Sequence, residues 1–166
     1  MNSTIIIRPA LSNDLSAILN IYNAIIDEGG FTADLYPYTM ESKKDWFLSL
    51  KEKNNIFVVS KREIILGYFY FSPWREGREA LQMIAEISFY ITKNSRGKGF
   101  GKRVMTQVLS LAKEKKLKYL LAILLDINRV SISLLKKFDF EIAGHLPGIA
   151  KLKDTSCGQY IMLKKV

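Results

Sequence analysis

Apolar residues recur at Leu15, Ile18, Leu19, Tyr22, Ile25 and Ile26, a three- and four-residue spacing that predicts a helix with one buried stripe. Ser12 stands where a hydroxyl can cap its first turn, and Gly29-Gly30 ends it. A first strand is expected just before, over residues 5–8. The aromatic-rich stretch 31–39, broken by Pro37, reads as a loop; a second helix then starts near Glu41 with Trp46, Phe47 and Leu50 on one side. Residues 56–60 and 64–71 predict two strands around a turn at Lys61-Arg62-Glu63, residues 74–79 a polar loop, and residues 85–91 another strand.

The second half of the chain continues the alternation. A helix is expected to bury Val104, Met105, Val108, Leu111 and Ala112. Residues 119–125 form a nearly unbroken apolar run, which suits a strand covered on both faces. A short helix follows with Ser131, Leu134, Leu135 and Phe138 on one side, and residues 140–143 and 159–163 close the chain as strands. Helices and strands alternate through the middle, so the fold class expected is α/β (α+β), a mixed sheet with helices on both faces. No linker or repeat divides the chain, and residues 1–166 read as a single domain.

Between the strand ending at Ile91 and the next helix lies Arg96-Gly97-Lys98-Gly99-Phe100-Gly101-Lys102. Glycines at that spacing let backbone approach a ligand, and the helix that starts there offers free N–H groups and a positive dipole end. The pattern fits a pyrophosphate cradle. A P-loop would need glycine at Arg96 and Ser or Thr at Arg103, and a dinucleotide fingerprint would need glycine at Lys102, so both are excluded.

Composition narrows the picture further. At 166 residues and 48% apolar content, the chain can bury about two thirds of its surface. No apolar run approaches the roughly 20 residues that span a bilayer, and the first residues lack the basic start and apolar centre of a secretory leader. A lone cysteine, Cys157, and a lone histidine, His145, leave no internal disulfide and no His/Cys metal site; a reducing cytoplasm is the expected setting. The net charge of +9 comes from scattered lysines without interleaved aromatics, so no nucleic-acid partner is expected, although the charge favours a polyanionic ligand.

Arg-Gly-x-Gly-x-Gly between a strand and a helix resembles the coenzyme A loop of the GNAT N-acetyltransferase superfamily. The similarity extends along the chain. Ile21-Tyr22-Asn23, Trp46-Phe47, Ser72-Pro73, Ala85-Glu86-Ile87-Ser88, Asn128 with Ser131, and Gly144-His145-Leu146-Pro147 are similar to the branch that includes phosphinothricin and methionine sulfoximine acetyltransferases. The resemblance implies a mostly antiparallel sheet whose fourth and fifth strands splay apart around acetyl-CoA. It implies acetyl transfer to the primary amine of a small molecule, with coenzyme A as product. Backbone groups of Phe89, Tyr90 and Ile91 would pair with the pantetheine arm. Main-chain N–H groups of Arg96, Gly97, Lys98, Gly99, Phe100 and Gly101 would hold the pyrophosphate, Arg96 or Lys102 could add charge near the phosphates, and Asn128 would contact pantetheine, cap the last helix, or do both.

Glu86, an acid inside an apolar strand, is the candidate base that frees the amine; the alternative is a structural ion pair with Arg or Lys. Position 135, where the family often places a Tyr or His acid, holds Leu, which leaves Tyr90, Tyr160 or solvent to protonate the thiolate. Phe31, Trp74, Arg75 and Arg78 are expected beside the acceptor pocket, and His145 either touches substrate from a loop or makes a structural hydrogen bond. Asp139 replaces a family glycine and is expected to tolerate a left-handed backbone. A homodimer is expected by the same resemblance. Other acceptors that remain open are a protein N-terminus, a lysine or a polyamine, and a non-catalytic acyl-CoA-binding module is the alternative outside enzymes.

Overall fold

The computed structural model describes residues 4–166. Strand β1 (Ile5–Pro9) leads through a 3-10 turn to helices α1 (Leu15–Glu28) and α2 (Met40–Glu52). Strands β2 (Ile56–Lys61), β3 (Ile64–Pro73) and β4 (Ile84–Ile91) follow, then α3 (Phe100–Glu114), β5 (Tyr119–Leu125), α4 (Arg129–Lys136), β6 (Glu141–Lys151) and β7 (Ser156–Lys165). The strands form a seven-stranded sheet in the order β1-β2-β3-β4-β5-β7-β6. Only the β4–β5 pair is parallel.

Side chains alternate across this sheet and supply two cores. One face buries Phe69, Phe71, Ala85 and Ile87 against Val104 and Val108 of α3 and Leu135 of α4. The other buries Val58 and Tyr68 against Ile18 and Ile25 of α1 and Phe47 of α2, with Tyr70 and Tyr90 at its border. Helices therefore cover both faces, as the alternating pattern predicts.

Two local expectations are corrected. Ser12 does not cap α1; it lies in the preceding 3-10 turn, where the Asp14 carboxylate accepts from the Leu11 N–H at 2.7 Å and pairs with Arg8 at 2.6 Å. The second is the Gly144–Pro147 segment, which is strand rather than loop. β6 is an edge strand with two register shifts; Gly144 adjoins the first, and Pro147 and Gly148 fall in the second, between the pairs Leu146–Gln159 and Ala150–Cys157, where no ladder bond is required. Helix α2 begins at Met40, near the expected start, because Thr39 and Ser42 exchange hydrogen bonds in a capping box. Asp139 does adopt a left-handed backbone, with φ of 59°.

Candidate active site

The β4–β5 ladder is short. It pairs Ile84 with Tyr119, Ala85 with Leu120 and Glu86 with Leu121, and then stops, while β4 runs on to Ile91 and β5 to Leu125. The two strands part at Glu86. Into the opening falls a cavity of about 930 Å³, lined by Phe89, Tyr90 and Ile91, by Gly97, Gly99, Gly101 and Lys102, and by α4 from Asn128 onward.

The glycines divide their work. Gly97 and Gly99 have φ of 74° and 81°, a region that L side chains rarely adopt, and a Cβ on either would meet nothing within 4 Å. Backbone conformation explains them, and the space beside them stays open. Gly99 is the N-cap of α3, whose first N–H groups lack partners within the helix and face an anion favourably. Gly101 serves packing instead: a Cβ there would stand 2.9 Å from a Leu134 methyl, so its absence lets α3 and α4 close up.

The charged residues of the loop differ in what they meet. Arg96 donates from Nε to the Ile91 carbonyl at 3.0 Å and from a terminal nitrogen to Glu28 at 2.8 Å, and its guanidinium lies 4.4 Å from the Phe31 ring centre. It borders the cavity, but its charge is engaged with the end of α1. Lys102 lines the cavity, whereas the Lys98 side chain is exposed outside it and the Phe100 ring is buried in the core, leaving its main chain for a ligand. Asn128 caps α4 by accepting from the Ser131 N–H at 3.1 Å, and it is also buried at the cavity wall.

Glu86 is half-buried on the same face of β4 as Ser88 and Tyr90. Among the described residues no Lys or Arg lies within ion-pairing distance of it, which removes the structural ion pair expected as the alternative. Burial pushes its carboxyl above the ordinary value, with nothing opposing. A desolvated, unpaired carboxylate at the fork of the sheet is suited to taking a proton.

Leu135 is fully buried, so α4 presents no acid at that position. Tyr90 is poorly suited to protonate the thiolate in its place, because burial raises its phenol well above the ordinary value and its ring is packed 4.9 Å from Tyr22 and 5.1 Å from Tyr68. Tyr160 packs with its ring centre 4.5 Å from that of His145, the rings tilted by 39°, on the β6–β7 hairpin. His145 itself meets Asp126 at 2.9 Å, passing over Gly158, where a Cβ would lie 2.6 Å from its Nε2. His145 is not among the residues that line the cavity. Phe31 does line the cavity. The main-chain N–H of Trp74 donates to the Ile84 carbonyl at 3.2 Å, while Arg75 and Arg78 are exposed in the β3–β4 turn; none of the three borders the cavity.

What the sequence pattern did not reveal is an aromatic face. Tyr68 and Tyr70 of β3 stand in register with Tyr90 and Ser88 of β4, and Trp46 packs edge-on to Tyr70 at 5.2 Å. Tyr22 hydrogen-bonds Asp34 and Thr32, and the Asn23 amide grips the main chain of Tyr38 twice at 2.9 Å. Thus the Tyr22-Asn23 pair moors the 31–39 segment to α1. The alternation of Tyr68 and Tyr70 along β3 is the sequence signal for this face.

A cradle of this kind beside a forked parallel pair narrows the family, and comparison with known proteins decides it. Residues 18–140 match the Acetyltransferase (GNAT) family. The chain belongs to that family. YwnH of Bacillus subtilis (strain 168) is 32% identical over 146 residues, covering 88% of this chain and 90% of that protein. The L-methionine sulfoximine/L-methionine sulfone acetyltransferase of Pseudomonas paraeruginosa (strain DSM 24068 / PA7) is 27% identical over 147 residues, covering 87% and 85%. A crystal structure of an N-acetyltransferase from Staphylococcus aureus Mu50 superposes with a TM-score of 0.92 at 30% identity, covering 98% and 99%. As a GNAT acetyltransferase the chain takes its acetyl group from acetyl-CoA. The residues present fit that cofactor: open space beside two left-handed glycines, a helix N-terminus, Lys102, and strand edges freed where β4 leaves β5.

Proposed function

We propose that the protein acetylates the primary amine of a small amino acid or amino-acid analogue of the methionine sulfoximine or phosphinothricin kind. The observation that carries the mechanism is Glu86, desolvated and unpaired, at the last paired position before the strands part. Main-chain groups of Phe89 to Ile91 hold the pantetheine arm, the N–H groups of residues 96–101 and Lys102 hold the pyrophosphate, and Asn128 supports the arm from α4. Bound acetyl-CoA supplies an activated thioester carbonyl. Glu86 accepts a proton from the acceptor ammonium, directly or through water, which exposes the nitrogen lone pair. With leucine at position 135, protonation of the leaving thiolate would fall to solvent or to Tyr160. Likeness to the methionine sulfoximine enzyme supports the acceptor class.

The exposed edge of β6, which carries Ile142, Leu146 and Ile149, supports a homodimer formed through the C-terminal strands. We place the protein in the cytoplasm; no helix of the described residues is long and apolar enough to cross a membrane. One domain carries all of this chemistry.

The test is thiol release from acetyl-CoA with methionine sulfoximine, methionine sulfone, phosphinothricin, polyamines and peptides as acceptors. Turnover with the amino-acid analogues is expected, and Glu86→Gln should lower kcat by about 100-fold or more while leaving the coenzyme A Kd within about twofold. Acetyl-CoA binding without thiol release on any acceptor would leave the non-catalytic binding module as the reading.

A further inference from the structure

Lys43 projects from the first turns of α2 onto aromatic rings. Its Nζ lies 3.7 Å from the ring centre of Tyr38, 5.3 Å from that of Trp46 and 5.7 Å from that of Tyr22. The π faces hold the ammonium in place by cation–π attraction. They accept none of its N–H donors in the manner of an oxygen, and among the described residues Lys43 has no hydrogen-bond or ion-pair partner. The acid beside this aromatic face, Asp34, is already engaged by the Tyr22 hydroxyl.

The same ammonium lines a small cleft between α1, α2 and the sheet, whose other walls are Leu15, Ile18 and Leu19 of α1 together with Tyr22, Trp46, Tyr68 and Tyr70. Its volume is about 30 Å³. That admits about two water-sized groups, enough for the two oxygens of a carboxylate but not for the body of a substrate. Tyr70 forms part of its floor and stands opposite Ser88, which shares a face of β4 with Glu86 two residues away. The cleft is therefore on the side of the sheet where Glu86 deprotonates an amine. A positioned cation with unspent donors, in a pocket of carboxylate size and apart from a catalytic carboxylate, matches an acceptor that carries both an ammonium and a carboxylate.

Resting on the acetyl-transfer reading above, we propose that Lys43 is the specificity-determining residue that anchors the acceptor's carboxylate, with Tyr22, Tyr38 and Trp46 holding its ammonium in position. The arginines of the β3–β4 turn, exposed and away from this cleft, are not required for it.

The test compares wild type, Lys43→Met and Lys43→Arg, with L-methionine sulfone and its α-carboxamide as acceptors. Thiol release gives kcat and KM; calorimetric titration of each acceptor into protein saturated with coenzyme A gives binding without turnover. Loss of a charge-assisted contact predicts that Lys43→Met raises KM and Kd for the carboxylate about tenfold or more. Its kcat and its KM for the carboxamide should stay within about twofold, and Lys43→Arg, which keeps the charge but must seat a planar fork on the same rings, should retain more carboxylate affinity than Lys43→Met. Equal effects on carboxylate and carboxamide, or no effect on either, would overturn the anchor and leave Lys43 a packing residue while acetyl transfer stands. A wild type that releases no thiol with either acceptor, yet does so with a polyamine or peptide, would overturn the acceptor class and this anchor with it. Circular-dichroism melts of all three proteins guard against a folding defect, and Lys43→Gln replaces the methionine variant if that one melts early.

Discussion

Glu86 and Arg96 show how one side chain's surroundings set its use. Burial holds the Glu86 carboxyl above its ordinary value of 4.5, so the native state keeps a proton that the unfolded chain has released. Two consequences follow in opposite directions as pH rises from 4.5 toward the folded value. Activity rises, because the base must be ionised, and kcat/KM should follow a single ionisation that vanishes in Glu86→Gln. Stability falls, because the native state binds more protons than the unfolded one, so at neutral pH Glu86→Gln should melt at or above the wild-type temperature. Arg96 is engaged rather than free: its bonds to Glu28 and the Ile91 carbonyl, with Phe31 beneath, join the cofactor loop to the segment that leads from α1. Both ends of its ion pair are partly solvated, so Arg96→Ala should cost about 1 kcal/mol in urea unfolding rather than the full value of a buried charged bond.

At the scale of elements, the site depends on how closely strands and turns approach one another. A Cβ on Gly67 of β3 would stand 2.7 Å from the Tyr90 carbonyl of β4. Gly67→Ala should therefore push the two strands apart, cost about 1–3 kcal/mol and weaken coenzyme A binding through the displaced Tyr90 and Ile91. Gly144→Ala, whose Cβ would meet Ile161 at an ordinary 3.7 Å, is the control expected to change little. The β1–α1 corner rests on Asp14. Burial would raise its carboxyl, yet hydrogen bonds from Arg8 and the Leu11 N–H outweigh that and hold it below the ordinary value. A depressed carboxyl stabilises the fold above its unfolded pKa and loses that contribution as pH falls through the folded one. Asp14→Asn should thus lower the melting temperature at pH 7, and the gap to wild type should narrow on acidification.

For the whole molecule, the net charge of +9 favours a polyanionic ligand, and Arg96, Lys102, Arg129 and Lys137 line the cavity. Coenzyme A affinity should fall steadily between about 50 and 500 mM salt, because the Debye length shrinks to a few ångströms over that range. Binding indifferent to salt would show that local N–H groups alone hold the phosphates.

Local pattern determined the element order, the helix-covered mixed sheet and the glycine loop, because periodicity of 3.6 or 2 and a three-glycine spacing are properties of contiguous residues. Glu86 stands out as an acid inside an apolar strand, whereas Asn128 is legible only through the family resemblance. Only the tertiary structure decided what each side chain meets. That Arg96 turns to Glu28, that His145 reaches Asp126 across a glycine, and that Tyr22, Tyr38 and Trp46 gather around Lys43 all depend on strand register and helix placement. Partners tens of residues apart are chosen by packing, and no window along the chain contains both.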